Sequence, residues 1–144
     1  MSAQETICIY VQLGGAEGVR RLVDAYVSAL ERREDAQELR ALYAASGASM
    51  PHYAERLWEF LCGWLGGPAV YQSRHGMPML RENHRRICIR PQDADAWMRC
   101  MREALELCVA NEALRMRLDR AFSGMAASLQ SGSSFSAGVD AAKR

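Results

Sequence analysis

The sequence is short of almost every feature that would mark a chain for a partner of one charge. Eighteen basic residues stand against 17 acidic ones, a formal net charge of +1, and no stretch gathers the cations into an arm. Nothing here resembles a nucleic-acid footprint. Uninterrupted apolar runs last only a few residues, far short of the roughly 20 that a spanning helix needs. The first residues, MSAQETICIYVQ, lack the charged-then-apolar order of a secretory signal, so the expected compartment is the cytoplasm. Cys8, Cys62, Cys88, Cys100 and Cys108 include no C-x-x-C pair and no paired histidine spacing. That excludes the usual zinc frameworks and fits small buried hydrophobes. Gly14-Gly15 and Gly66-Gly67 are turn glycines without the spacing of a phosphate cradle, which leaves no nicotinamide or flavin motif.

What the chain has is helical periodicity. Its 144 residues, 49% of them hydrophobic, suffice for one domain with a sizeable core, and there are no internal repeats. Residues 5–12 could be a strand or a short helix by pattern alone. From Ala16 to Arg33 the apolar residues Val19, Leu22, Val23, Tyr26, Val27 and Leu30 follow the spacing of an amphipathic helix. Residues 35–43 predict a second short helix, with Asp35 as its cap and Leu39, Leu42 and Tyr43 on its inner face. Ser49 and Pro51 mark the start of another, whose stripe is Tyr53, Leu57, Phe60, Leu61 and Trp64. Residues 91–129 carry two stripes, one from Trp97 to Val109 and one from Leu114 to Leu129. Asn111 is the expected break between two antiparallel helices. The domain is thus expected to run over 1–129, and the small, polar tail 130–144 to be disordered.

The stretch Gly66–Trp97, GGPAVYQSRHGMPMLRENHRRICIRPQDADAW, organises the rest. Leu80, His84 and Ile87 fall at i, i+4 and i+7 on one helical face. On the residues alone, a histidine on an apolar stripe is more often a satisfied core residue than a metal ligand. The stretch nevertheless resembles the truncated haemoglobins, and their group II branch in particular. The matching parts are GGPAVY, the Gly-x-Pro-x-Leu-Arg run ending at Arg81, the histidine at 84, and Asp-Ala-Trp-Met at 95–98. The likeness covers roughly residues 6–129, and it makes residues 5–12 a short first helix.

The resemblance implies an all-α, globin-like fold, the truncated two-over-two helical sandwich. Helices 16–33 and 51–65 would form one pair, and 91–110 and 112–129 the other. It implies haem b (iron protoporphyrin IX), bound without covalent attachment since no C-x-x-C-H occurs. His84 would be the proximal iron ligand, its other ring nitrogen held by an acceptor. His52 and His75 are expected at the surface. Trp97 would hang over the distal face with its indole N–H aimed into the pocket, joined by Tyr43. Val27 stands where group II chains usually carry a tyrosine. Tyr26 is one residue off, about 100° around the helix, and is not expected simply to inherit that role. Tyr53 occupies the distal gate position, commonly a small residue, with Leu57 one turn on as an apolar wall. Tyr53 is therefore expected to take over part of the donor role. Arg56, Tyr71 and Arg81 are candidates for the propionate rim. Phe60, Leu61, Leu80, Ile87, Ile89 and Met101 complete the expected haem contacts. Two departures weaken the propionate side: Asn83 replaces the basic residue before the histidine, and Met77 replaces a histidine between Gly76 and Pro78.

Three function classes follow. One is reversible binding of a small gaseous ligand (O2, CO or NO) by a carrier, scavenger or sensor. The second is a haem enzyme, such as a nitric oxide dioxygenase or peroxidase, working with a separate reductase. The third is a haem-free helical interaction protein. A monomer or homodimer without nucleic-acid or membrane partners is expected.

Overall fold

The computed structural model describes residues 8–47, 49–77 and 89–130. Among them every regular element is a helix: α1 Ile9–Leu13, α2 Gly15–Arg32, a 3-10 turn Glu34–Ala36, α3 Gln37–Ala45, α4 Met50–Trp64, α5 Val70–His75, α6 Pro91–Cys108 and α7 Glu112–Ser128. The expected boundaries hold to within a few residues, and the ambiguous first segment is helical.

Each junction has a local cause. Gly14 and Gly15 take φ of 104° and 72°, the left-handed region open to glycine, and turn α1 into α2. Gly18 lets the two helices touch, since a Cβ there would sit 1.8 Å from the Leu13 carbonyl oxygen. Ser49 caps α4 by accepting from the His52 amide, with Pro51 in the first turn. Asn111 caps α7 by accepting from the Leu114 amide at 2.9 Å. Asp35 does not cap α3: it lies in the 3-10 turn, and its carboxylate is paired with Arg33 and Arg99 instead.

The helix α2 is central. Its stripe of Val19, Leu22, Val23, Tyr26, Ala29 and Leu30 is 0% exposed, because it packs against α4 on one side and α6 on the other. Fully burying each of these valines and leucines is worth about 1.5–3 kcal/mol. Helix α7 lies on α6, and the short α5 lies on α4. Cys62 and Cys100 are buried small hydrophobes as expected, and Cys108 is partly buried. No described helix is long and apolar enough to cross a membrane.

Candidate functional site

Four polar side chains from four helices converge inside this apolar frame: Tyr26 of α2, Tyr43 near the end of α3, Tyr53 of α4 and Trp97 of α6. Their meeting point is the Tyr53 hydroxyl. It lies 2.8 Å from the Tyr26 hydroxyl and 3.0 Å from that of Tyr43, and it accepts the Trp97 indole N–H at 3.3 Å. The rings support the same arrangement. Tyr43 and Tyr53 lie 4.4 Å apart, and Tyr26 is tilted against Trp97 at 5.5 Å. Phe122 of α7 meets the far edge of Trp97 at 5.8 Å. Burial raises the pKa of all three phenols, and the neighbouring hydroxyls push Tyr26 and Tyr43 further up, whereas hydrogen bonds to Tyr26, Tyr43 and Trp97 oppose the rise at Tyr53. The cluster therefore holds neutral phenols, which are donors as well as acceptors.

Two of the expected pocket side chains find partners within the protein. Tyr26 is 0% exposed and bonded into the cluster, while Val27 is only partly buried on the shoulder of α2. Rotation by one residue moves the ring, but the length of a tyrosine still carries its hydroxyl to Tyr53. Tyr26 and Tyr53 are thus a hydrogen-bonded pair. Trp97 likewise finds an acceptor within the protein, since its N–H is directed at Tyr53.

The other candidates fall around this centre. Leu57 and Phe60 are partly buried on the Tyr53 side of α4, at i+4 and i+7. Leu61 and Met101 are fully buried. Ile89 precedes α6 and is partly buried. Tyr71 of α5 stacks obliquely on His75, with ring centres 4.9 Å apart. Arg56 gives one guanidinium nitrogen to Glu59 at 3.1 Å. Leu80, Arg81, His84 and Ile87 lie outside the described residues.

Sequence reasoning missed Glu59. Its carboxylate is 2% exposed and takes hydrogen bonds from Arg56 of its own helix and from Arg74 and His75 of α5. Arg74 also reaches Glu55, which pairs with Arg20 of α2. This ladder ties α5 to α4 and α4 to α2. His52 and His75 are both exposed as expected, and the His75 ring meets Glu59 at 2.9 Å. The available signal was an acid between Trp58 and Phe60, three residues after an arginine.

The family described as Bacterial-like globin matches residues 8–131. The Group 2 truncated hemoglobin YjbI of Bacillus subtilis (strain 168) is 34% identical over 92 residues, 64% of this chain and 65% of the relative. The match therefore spans just under two thirds of that relative's length. The cold-adapted truncated hemoglobin of the Antarctic marine bacterium Pseudoalteromonas haloplanktis TAC125 superposes with a TM-score of 0.80 at 32% identity, over 87% of this chain and 98% of that one. The Group II 2-on-2 hemoglobin of Agrobacterium tumefaciens gives 0.81 at 30% identity, over 90% and 98%.

Proposed function

The chain belongs to the bacterial-like globin family, with the fold of the truncated two-over-two haemoglobins, and on that premise we propose that it holds haem b through His84 and binds a small diatomic ligand beside the Tyr26–Tyr43–Tyr53–Trp97 cluster. The observation that carries the reading is the cluster itself. Four hydrogen-bonding groups are gathered among apolar side chains, and their four donor protons outnumber the three contacts among them. Three phenol protons share two hydroxyl–hydroxyl contacts, so at least one O–H has no acceptor among the described residues. A buried donor left in that state favours any acceptor brought to it.

The surrounding residues fit the group. Val27, Leu57 and Phe60 are apolar and only partly buried beside the cluster, a surface suited to a flat apolar macrocycle. Ferrous haem would supply one open position for the ligand. The chain would supply the rest: the spare phenol proton holds the ligand's developing negative charge, and the apolar wall keeps water from competing for it. Arg56 gives Glu59 one of the five N–H donors that a guanidinium carries and can orient a carboxylate at the rim with the others. Reversible binding of dioxygen, as carrier, scavenger or sensor, is the use this arrangement favours.

The test is the absorption spectrum of the haem-reconstituted protein in its ferric, ferrous and CO-bound states. A five-coordinate ferrous spectrum that CO converts completely is expected in the native protein. His84→Gly should lose haem and recover that spectrum only with added imidazole. Failure to take up haem, or a His84→Gly variant with the unaltered spectrum, overturns the reading.

A further inference from the structure

We propose that Tyr53 sets the number of hydrogen-bond donors the pocket offers, keeping it to one by absorbing the rest. The proposal rests on the haem-ligand reading and concerns how that site is regulated. Its starting point is the lone-pair count at a single oxygen. A phenol oxygen carries two acceptor sites and one proton. At Tyr53 one acceptor site is taken by the Trp97 N–H, and both other phenols lie within hydrogen-bond distance. Accepting from both as well would need a third lone pair. Tyr53 must therefore accept from one phenol and donate to the other. The chain of protons runs either from Tyr26 through Tyr53 to Tyr43 or the reverse way, and a single O–H, on Tyr43 or on Tyr26, is left over. No other hydrogen-bond partner of these four groups occurs among the described residues.

Removing each group in turn gives an asymmetric result. Without the Tyr26 or Tyr43 hydroxyl, two phenols share one contact and one proton remains spare. Without the Trp97 N–H, both outer phenols can donate to Tyr53, whose own proton becomes the spare one. Only loss of the Tyr53 hydroxyl changes the count. It releases Tyr26, Tyr43 and Trp97 together, and the pocket passes from one free donor to three. The Tyr53 hydroxyl thus weakens ligand retention.

The experiment compares Tyr53→Phe, Tyr26→Phe, Tyr43→Phe and Trp97→Phe in the haem-loaded full-length protein, with circular dichroism confirming the fold. Dioxygen release is measured by stopped flow after mixing with excess CO. One added donor should slow release by about ten-fold, so Tyr53→Phe is expected to be at least that much slower than the native protein. Tyr26→Phe, Tyr43→Phe and Trp97→Phe add no free donor, so none of them should release dioxygen more slowly than the native protein. Ultraviolet resonance Raman of the haem-free proteins supplies an independent readout. The indole band that reports N–H hydrogen bonding should move toward the unbonded position in Tyr53→Phe and hold still in Tyr26→Phe and Tyr43→Phe. In Trp97→Phe the tyrosine bands should move instead. Faster release from Tyr53→Phe, or an indole band indifferent to the Tyr53 hydroxyl, overturns the proposal. Failure to bind haem would overturn the ligand reading, and the haem-free Raman result would still decide whether Tyr53 holds the Trp97 N–H.

Discussion

Replacing Glu59 with Gln keeps the side chain's shape and removes its charge, which tests whether the buried carboxylate is what holds α5 in place. The carboxylate is 2% exposed and accepts from Arg74 at 2.8 Å, His75 at 2.9 Å and Arg56 at 3.1 Å. Breaking a buried ion pair from one side is worth about 3–5 kcal/mol. The three partners are more open, with side chains 37%, 53% and 27% exposed for Arg56, Arg74 and His75. They can rehydrate once the carboxylate is gone, which leaves about 1–3 kcal/mol. A domain of this size shifts by about 4 °C per kcal/mol, so Tm should fall by roughly 4–12 °C at pH 7.

The pH dependence has a definite sign. Burial pushes the Glu59 carboxyl up, but hydrogen bonds from Arg74 and His75, together with the His75 and Arg56 charges, outweigh it and hold the folded-state value below the ordinary one. The unfolded chain therefore takes up the proton first. The stabilisation is complete above the ordinary glutamate value near pH 4.3, and it is lost as pH falls through the lowered folded-state value. Thermal unfolding of the full-length protein and Glu59→Gln, followed by far-UV circular dichroism from about pH 7 down to 3, should show a gap that closes in acid. Equal midpoints at pH 7, or a gap that does not change with pH, would refute the argument.

Further outcomes follow from single contacts. Asn111→Ala removes the side chain that accepts from the Leu114 amide and should destabilise by about 1 kcal/mol, readable as a lower urea midpoint with an unchanged slope. Asp93 is 1% exposed and accepts from both the backbone and the guanidinium of Arg90 at 3.0 Å. Asp93→Ala should cost about 1–2 kcal/mol through loss of the α6 cap, and an unchanged midpoint would mean the cap contributes nothing. Burial pushes the Cys100 thiol up to about 11. It should therefore resist iodoacetamide at about pH 8, where roughly one molecule in a thousand is thiolate, and react once the chain is unfolded. Rapid labelling of the folded protein at Cys100, located by mass spectrometry, would contradict that placement.

What could be read from the sequence was what local spacing encodes. The stripes of α2, α4, α6 and α7 appear where periodicity puts them, and the caps at Ser49 and Asn111 lie at the expected residues. The two-over-two fold was accessible through the motifs around Gly66–Trp97. Asp35 failed as a cap because its partners, Arg33 and Arg99, include one 64 residues away, and no local rule sees that arginine. Glu59 resembled a solvated charge on α4. Its burial depends on Arg74 and His75, 15 and 16 residues on, across the Gly66-Gly67-Pro68 turn. Tyr26 lay on the apolar stripe and is buried as that stripe implies, but its hydrogen bond to Tyr53, 27 residues on, is beyond what local spacing encodes.

Tyr26 and Tyr53 are coupled to one another. Together they make one hydrogen-bonded unit, because a hydroxyl brought in by α2 needs an acceptor once it is buried, and Tyr53 of α4 is the group placed to provide it. The same oxygen also receives what α3 and α6 contribute, through Tyr43 and Trp97. Four helices therefore meet at a single atom, which ties the position of α4 to the hydrogen bonds of the cluster. The ladder of Glu55 and Glu59 binds α4 in turn to α2 and α5. Any shift of α4 must stretch the bonds at Tyr53, the bonds at Glu59, or both. The geometry of the donors is for that reason set by the packing of the whole helical frame, and not by the pocket residues alone.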